Sequence, residues 1–349
     1  MSTPWFNSRD LRDKSPFGAV PCGTRVQFCL RPEAGAAITR CELLAHAEFA
    51  DHWETIPLEA AREDGATVFR GAYVAPRQAD LVWYHFRLLW ADGGTSCYGK
   101  TGLCAWDAVE PWQLTVYDDT HKTPEWFGRG LTYQIFPDRF CRAKKREIAG
   151  LVGPRTLHEQ WDEAPEYRPN EQGEITCSDF FGGDLAGITE KLDYLSSLGV
   201  TTLYLCPIFE ASTNHRYDTA CYERIDPLLG TEEDFRTLCE RAHERGIRVL
   251  LDGVFNHTGR KSVYFNADGF YPTLGAAQGP ASPYYRWYSF HPFPDDYDAW
   301  WGIKNLPAVN ETEESYVDYI IKGEHSIIRR WLRAGASGWR LDVADELPD

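Results

Sequence analysis

Hydrophobic and polar residues follow two different patterns in the two parts of the chain. Up to about Asp119, short runs in which apolar and polar residues alternate are separated by Gly, Asp and other turn residues. Examples are Arg25–Leu30 and Val82–Trp90, the second of which is followed by an Asp-Gly-Gly sequence. Such alternation is typical of antiparallel strands with one buried face. This part of the chain is therefore predicted to form a β-sandwich.

From Leu131 onward the pattern changes to strands that alternate with helices. The predicted strands are Leu131–Phe136, Val200–Pro207, Ile247–Phe255 and Gly338–Val343. Predicted helices lie between them. One helical face is marked by Leu185, Ile188, Leu192 and Leu195, a buried stripe of the next helix is formed by Phe235, Leu238, Cys239 and Ala242, and a further helical segment contains Ile327, Ile328, Trp331 and Leu332. Repeated β-loop-α units indicate a parallel sheet. Periodicity alone does not distinguish an open sheet from a barrel.

The change of pattern suggests two domains, residues 1–120 and 131–349, joined by a linker at 121–130 that contains Pro124 and two glycines.

Hydrophobic residues make up 43% of the chain and the net charge is −16, so the sequence disfavours binding to nucleic acid or to anionic membranes. The first residues lack the apolar core of a signal peptide, which predicts a cytoplasmic protein. The ten cysteines form no Cys-x-x-Cys pair and are predicted to be free thiols.

The most informative segment is the last predicted strand, because it contains two charged residues. Arg340 and Asp342 are two positions apart, and side chains at i and i+2 of a strand point to the same face. Burying such groups is costly unless they are paired. The pair is either a structural ion pair or a carboxylate that a guanidinium keeps ionised for nucleophilic attack. The spacing does not decide between these two interpretations.

Two further polar segments follow predicted strands. Asp252 and Asn256 share one face near the end of the third strand, where Asp252 could neutralise Arg340 of the neighbouring strand. His257 comes directly after them, where active-site loops begin. The segment His215–Thr219 lies in the loop after the second strand, and by itself it is better explained as a solvated polar loop than as part of an active site.

Taken together and in this order, the motifs resemble the α-amylase family, glycoside hydrolase family 13. The matching segments are Tyr133–Phe140 (YQIFPDRF), Phe180–Ile188 (FFGGDLAGI), His215–Thr231 (HRYDTACYERIDPLLGT), Asp252–His257 (DGVFNH) and Gly338–Glu346 (GWRLDVADE). Leu306–Asn310 (LPAVN) is similar to a stretch of the neopullulanase, cyclomaltodextrinase and maltogenic amylase group. The resemblance covers the chain from about Leu131 to its C-terminus. It implies a TIM (β/α)8 barrel, of which this chain would contain the first four strands.

The resemblance also implies roles for individual residues. Asp342 would be the nucleophile that forms a covalent glycosyl-enzyme, and Arg340 would keep it ionised. The substrate-binding residues would be His257, Tyr217, His215 and Asp218, and the site would be supported by Asp252 and Asn256. Residues 258–312 would form a small inserted domain after strand three. Phe17 to Asp119 would supply the N-terminal immunoglobulin-like, carbohydrate-binding-module-like sandwich of that group.

Part of the family's catalytic machinery has no match in this sequence. A retaining glycosidase needs a second carboxyl group roughly 5–5.5 Å from the nucleophile. In the family this is a Glu after strand five, and Glu346 does not match its position. We therefore expect a truncated chain that hydrolyses no glucan by itself. The calcium position of many relatives reads Cys141–Arg146 here, which is basic, so no metal or other cofactor is predicted although Asp184 is retained.

The leading hypothesis is a retaining hydrolase of α-1,4 linkages in maltodextrins, cyclodextrins or pullulan. An α-1,6-acting or transglycosylating relative would use the same nucleophile, and a non-catalytic carbohydrate-binding protein would use the same fold. The expected partner is an α-glucan oligosaccharide or polysaccharide, with no nucleic acid and no membrane. A homodimer of the full-length protein is expected from the resemblance alone.

Overall fold

The computed structural model describes residues 5–63, 65–120, 122–146, 152–171, 173 and 175–348. The chain divides into two compact units, Met1–Pro124 and Glu125–Asp349. The division lies inside the segment 121–130 that is predicted as a linker, of which residue 121 is outside the described residues. None of the described helices is long and apolar enough to cross a membrane.

The first unit consists of β-strands, and their neighbours in space are mostly antiparallel. The strands are β1 (Lys14–Ser15), β2 (Val20–Pro21), β3 (Arg25–Leu30), β4 (Ile38–Ala47), β5 (Glu54–Glu63), β6 (Ala66–Val74), β7 (Asp80–Trp90), β8 (Thr95–Gly99), β9 (Gly102–Cys104) and β10 (Trp112–Tyr117). They are connected in the order β1-β3-β6-β5-β4-β7-β10-β2, with β8 and β9 beside β7. The first half of β5 pairs with β4 and its second half with β6, so β5 links two groups of strands.

The two groups pack face to face. Phe28 on β3 and Tyr84 on β7 have ring centroids 5.0 Å apart although their strands are not hydrogen-bonded neighbours. Both side chains belong to one buried cluster that includes Leu43 and Leu114. Each large side chain buried in this way stabilises the fold by about 1.5–3 kcal/mol. The alternating pattern thus produces the expected two-layered β structure, while its immunoglobulin-like topology stays a prediction.

The second unit is built on a parallel sheet with the order β11-β14-β17-β18. Its strands are β11 (Leu131–Ile135), β12 (Thr156–Leu157), β13 (Asp179–Phe180), β14 (Val200–Leu205), β15 (Phe209–Ala211), β16 (Thr219–Ile225), β17 (Arg248–Gly253) and β18 (Gly338–Leu341). Its helices are α1 (Leu185–Glu190), α2 (Leu192–Ser197), α3 (Glu232–Glu244), α4 (Glu314–Val317) and α5 (Ile327–Arg333). The sequence analysis did not predict the β15–β16 hairpin, which lies in a segment interpreted as loop.

Helix boundaries follow from local chemistry. Thr231 and Asp234 form a reciprocal capping box at the start of α3, which satisfies backbone N–H groups that have no partner within the helix. Gly246 follows α3 with φ +72°, a conformation that glycine adopts without the steric cost of a Cβ atom. The predicted helix that begins at Leu185 is instead two short helices, which are separated at Lys191. Its four apolar positions are fully buried as expected.

Three of the predicted strands, β14, β17 and β18, end two residues earlier than expected. β17 ends at Gly253, so Asn256 and His257 lie in the following loop, beyond the regular alternation of the strand. β18 ends at Leu341, and Asp342 donates a last backbone hydrogen bond to the carbonyl of Gly253 at 3.0 Å. Val343 then adopts a left-handed backbone with φ +48°, which cannot continue a strand. Asp342 is therefore positioned at the turn that leaves the sheet.

The segment 258–312, which is described in full, contains three short 3-10 turns and isolated bridges but no α-helix and no longer strand. Its residues Tyr264, Phe265 and Trp287 are almost completely buried. They belong to the same cluster as Leu203 and Leu251 of the parallel sheet. The segment therefore packs on the core of the second unit. Its assignment as an inserted domain stays a prediction.

Candidate active site

A cleft of about 760 Å³ lies in the second unit, beyond the C-terminal ends of the parallel strands. It is lined from three loops by Thr213, His215, Tyr217 and Asp218, by His257 and Trp300, and by Asp342. Because β14, β17 and β18 are parallel, the loops that follow them leave the sheet at the same edge. The three polar segments that were singled out in the sequence thus meet in one cleft.

At the end of β18, one guanidinium bridges two carboxylates, and we name Asp252, Arg340 and Asp342 the open cluster. Nη1 of Arg340 lies 2.6 Å from Oδ1 of Asp342 and 2.9 Å from Oδ1 of Asp252. The relative exposure of these side chains is 41% for Arg340, 14% for Asp342 and 0% for Asp252. Both contacts that the strand spacing predicted are present. One guanidinium thus faces two carboxyl groups.

Asp252 is the buried member of the open cluster, and two tyrosines complete its surroundings. The hydroxyls of Tyr204 and Tyr217 both donate to its Oδ2 atom, the latter at 3.0 Å. Burial raises the pKa of Asp252, although the hydrogen bonds from Tyr204 and Arg340 act in the opposite direction. Sequence analysis missed Tyr204, whose only signal is that it is the one aromatic residue of the apolar strand β14.

His257 is held as a neutral ring with one acceptor atom unused. Its Nε2 lies 3.1 Å from the carbonyl oxygen of Tyr217, which assigns the proton to Nε2 because a carbonyl only accepts. Its Nδ1 has no hydrogen-bond partner among the described residues. Burial lowers the pKa of His257 and outweighs the opposing charge of Asp342. The ring stacks on Trp300, with centroids 5.4 Å apart.

Within the loop 212–218, hydrogen bonds fix the cleft-lining side chains. The carboxylate of Asp218 accepts from the backbone N–H and the hydroxyl of both Ser212 and Thr213. Nδ1 of His215 accepts from the backbone N–H of Tyr217 at 3.1 Å, and burial lowers the pKa of this histidine. Nδ1 of His215 and both oxygens of Asp218 are thus engaged in hydrogen bonds within the loop.

A second ionic group, which we name the closed cluster, holds the same loop from behind. It consists of Arg155, Asp226 and Arg216, whose side chains are at most 1% exposed. Arg155 binds both carboxylate oxygens of Asp226 at 2.9 and 2.7 Å, and Arg216 approaches Oδ1 at 3.4 Å. Both guanidinium groups also lie over the ring of Phe180. Despite burial, the charges of Arg216 and Arg155 lower the pKa of Asp226.

The closed cluster explains how neighbouring side chains point in different directions. Arg216 has a left-handed backbone with φ +62°, and it is buried while His215 and Tyr217 on either side of it line the cleft. A bulky residue adopts this conformation only when its surroundings impose it. Sequence analysis assigned no role to Arg155 or to Arg216, because nothing local in the sequence indicates their shared partner.

Asn256 and Glu346 lie near the cleft but do not line it. The side chain of Asn256 is buried, and its Oδ1 has no partner among the residues that the structure describes. Its backbone carbonyl accepts from Val309 at 3.1 Å, which ties the two loops together. Glu346 accepts a hydrogen bond from Nε1 of Trp301 at 3.0 Å.

The calcium position of the resemblance is occupied by groups of the protein itself. The carboxylate of Asp184 accepts backbone N–H groups of Ala143, Lys144 and Gly187 at 2.7–3.1 Å. Arg146 lies 3.8 Å from the same carboxylate. Over the described residues, no three His, Cys, Asp or Glu side chains are grouped so that they could hold a metal ion.

Comparison with known proteins shows the family of the chain. The family model of the alpha amylase catalytic domain matches residues 134–349, which is more than half of the chain. The chain belongs to the alpha-amylase family. An amylopullulanase of Thermoanaerobacterium saccharolyticum is 36% identical over 96% of the chain and 29% of its own length. A cyclomaltodextrinase of Geobacillus thermopakistaniensis is 37% identical over 84% of the chain and 48% of its own length.

Solved structures of this glycosidase family extend the similarity to both units. A cyclomaltodextrinase has a TM-score of 0.58 and 28% sequence identity. The match covers 93% of this chain and 54% of the cyclomaltodextrinase chain. The type III pullulan hydrolase from Thermococcus kodakarensis has a TM-score of 0.57 and 27% sequence identity. The match covers 99% of this chain and 56% of the chain of that hydrolase. The chain thus spans about half the length, or less, of the relatives that it matches.

Proposed function

We propose that this chain supplies the nucleophile and one wall of the active site of a retaining α-glucan hydrolase. The observation that carries the proposal is the open cluster at the end of β18, in which Arg340 contacts Asp342 at 2.6 Å beside a cleft of about 760 Å³. The sequence match to the alpha-amylase catalytic domain includes this segment. A carboxylate that stays charged next to a guanidinium and faces a cleft is suited to attack a carbon centre.

In the proposed reaction, an oxygen of Asp342 attacks the anomeric carbon of a glucose residue in the cleft. The bond from this carbon to the glycosidic oxygen breaks, and the leaving sugar takes a proton from an acid/base group. Water then attacks the glycosyl-enzyme and restores the carboxylate, so that two inversions give net retention. Arg340 donates a hydrogen bond to Asp342 and orients it, and the ring of Tyr217 is held in the cleft by its hydrogen bond to Asp252.

Binding of the substrate is assigned to groups that the cleft leaves unused. His257 and His215 are assigned to the sugar because both side chains line the cleft. Asp218 is proposed to act by shaping the loop 212–218, because Ser212 and Thr213 already occupy both of its oxygens. Asp252 and Asn256 are proposed to support the site from below.

The acid/base group is expected to come from outside the described residues. Among those that line the cleft, Asp218 and Asp342 are the carboxylates, and Asp218 is engaged in its own loop. Without a proton donor for the leaving sugar, a natural glycosidic bond is not cleaved. We therefore propose that the 349-residue chain alone hydrolyses no maltodextrin, and that the parallel sheet is the first half of a (β/α)8 barrel in the longer protein.

The names of the relatives indicate α-glucan substrates. They include cyclomaltodextrinase and neopullulanase, which supports α-1,4-linked maltodextrins, cyclodextrins or pullulan as substrates here. The name amylopullulanase keeps an α-1,6-acting enzyme as a second candidate. The products formed from pullulan by the full-length gene product would distinguish these two. The homodimer and the cytoplasmic location that the resemblance and the N-terminus predict stay predictions.

An activated sugar tests the nucleophile separately from the acid/base group. In 5-fluoroglucosyl fluoride, the carbon–fluorine bond at the anomeric centre breaks and fluoride leaves without being protonated. We expect the chain to gain one fluoroglucosyl group, which intact-protein mass spectrometry detects and peptide mapping assigns to Asp342. The same chain should release no reducing sugar from maltodextrin.

Two variants make this test specific. Asp342→Asn should lower the labelling rate by on the order of 10⁴ or more, because an amide is a poor nucleophile. Asp345→Asn changes the same charge at an exposed neighbouring position and should label like the unchanged protein. Labelling on another residue, or equal labelling of the Asp342 variant, would contradict the proposal.

A further inference from the structure

The cleft continues outward through a stack of three aromatic rings. His257 stacks on Trp300 with centroids 5.4 Å apart and an angle of 29° between the planes. Trp300 in turn stacks on Trp301, with centroids 5.2 Å apart and an angle of 20°. Trp301 is the outermost ring and is 79% exposed. A line of roughly parallel rings therefore runs from the candidate sugar-binding histidine to the rim of the cleft.

Trp301 is fixed in this position by more than the stack. Its backbone is left-handed, with φ 49° and ψ 27°, which is an uncommon conformation for a bulky residue. Its indole N–H donates to Oε1 of Glu346 at 3.0 Å. Glu346 lies four positions after Asp342, in the turn that follows β18. The exposed ring is thus held by its stack on Trp300 and by its hydrogen bond to Glu346, which follows β18.

This arrangement is not what core packing or chance exposure would produce. A tryptophan that serves the core is buried, as Trp331 is at 0% exposure. A tryptophan that is merely exposed has no reason to adopt a strained backbone while its N–H is held by a specific acceptor. An aromatic ring with one face covered by Trp300 and the other face free is suited to stack on a flat, partly apolar ligand.

We propose that Trp301 is a stacking platform for a distal glucose residue of an α-glucan chain whose cleavage point lies at Asp342. The C–H face of a pyranose ring provides the apolar surface, and a neutral sugar is not repelled by the net charge of −16. Because the ring is already immobilised, little side-chain entropy is lost on binding. This inference rests on the proposed function, since it places a further sugar of the same substrate.

The platform predicts a binding defect that depends on the length of the oligosaccharide. We would measure dissociation constants of maltotriose and maltohexaose by titration calorimetry for the protein and for the Trp301→Ala variant. In the variant, the dissociation constant of maltohexaose should rise about tenfold relative to that of maltotriose, because only the longer sugar reaches the rim of the cleft. Trp301→Phe retains a ring and should recover part of the difference. Trp161→Ala removes another half-exposed tryptophan of the same unit and should leave the ratio unchanged.

Each outcome separates the platform from the function on which it rests. If Trp301→Ala weakens the binding of maltotriose and maltohexaose by the same factor, Trp301 supports the cleft rather than a distal glucose. This result would overturn the platform but not the proposed function. An unchanged ratio in Trp301→Ala would overturn the platform as well. If the unchanged protein binds neither sugar and Asp342 is not labelled by 5-fluoroglucosyl fluoride, the α-glucan hydrolase proposal fails together with the platform.

Discussion

Two of the Arg–Asp clusters in the second unit, the closed cluster and the open cluster, use the same chemistry for different ends. The closed cluster has two guanidinium groups around one carboxylate, and its side chains are at most 1% exposed. The open cluster has one guanidinium between two carboxylates, and its arginine is 41% exposed. One cluster fixes the loop that carries Tyr217, whereas the other leaves a carboxylate in excess at the cleft.

The difference shows that stoichiometry and solvent access decide what a buried ion pair does. In the closed cluster every carboxylate oxygen is bound, so the group has nothing left for a ligand. In the open cluster, Asp252 takes the buried position and is bound by Tyr204, Tyr217 and Arg340. Asp342 keeps only the contact to the guanidinium among the described side chains, and it remains available to a substrate.

Removing the central residue of the closed cluster should have the largest effect on stability. Asp226→Asn keeps the shape but leaves two buried guanidinium groups without a counter-charge, so we expect the free energy of unfolding to fall by about 3–5 kcal/mol. Urea unfolding followed by circular dichroism measures this. Glu244→Gln breaks the exposed pair with Arg241 and should cost at most about 0.5 kcal/mol. If Asp226→Asn and Glu244→Gln lose similar amounts of unfolding free energy, the closed cluster is no more important for stability than an exposed ion pair.

Removing the central residue of the open cluster should affect function more than stability. Arg340→Met leaves two carboxylates facing each other, so the rate of labelling by 5-fluoroglucosyl fluoride at pH 7 should fall by about 10²-fold. The free energy of unfolding should fall by less than in Asp226→Asn, because the hydroxyls of Tyr204 and Tyr217 still bind the buried Asp252.

A matched variant separates charge from shape at this position. Arg340→Lys keeps the cation and should recover only part of the labelling rate, since a single ammonium does not reproduce the planar fork of a guanidinium. An Arg340→Met variant that labels at the rate of the unchanged protein would show that the guanidinium does not act on Asp342.

The smallest effect is expected at a surface version of the same pairing. Asp234 contacts Lys144 at 2.8 Å and Arg146 at 3.1 Å and also caps α3. Burial opposes the ionised form, but the hydrogen bonds from Lys144 and Thr231 prevail and lower the pKa of Asp234 from 3.8 to about 2. A lowered pKa stabilises the fold above about pH 4, and this contribution is lost as the pH falls towards 2.

The corresponding measurement compares unfolding at several pH values. At pH 7, Asp234→Asn should lower the free energy of unfolding by about 1 kcal/mol, since solvent screens the exposed partners. The difference in the free energy of unfolding between the unchanged protein and Asp234→Asn should become smaller between pH 4 and pH 2, where Asp234 of the folded protein becomes protonated. A difference that stays constant down to the acid limit would show that the cap, and not the charge, is responsible.

Much of the second unit could be predicted from local sequence. The apolar runs locate β11, β14, β17 and β18, because strands that are buried on both faces consist almost entirely of apolar residues. The i, i+2 spacing predicts that Arg340 and Asp342 share a face, since the alternation of a strand is a property of the backbone alone. Strand ends were less accurate, because Val343 leaves the sheet through a left-handed conformation that its residue type does not indicate.

Long-range partners in the site could not be predicted in the same way. Tyr204 contacts Asp252, which is 48 positions away, only because β14 and β17 are neighbours in the sheet with a defined register. Arg155 and Asp226 are 71 positions apart and meet behind the loop 212–218. No periodicity connects such residues, so the sequence shows charged side chains without showing which of them neutralise each other.

The sequence by itself determined the alternation of strands and helices, the position of the charged pair in β18 and the resemblance to the alpha-amylase family. The tertiary structure alone decided that Asp252 is buried beneath Arg340, that Arg216 turns away from the cleft, and that Trp301 extends a stack to its rim. The physical reason is that backbone periodicity is encoded over a few residues. Burial and charge pairing, in contrast, depend on which distant segments the folded chain brings into contact.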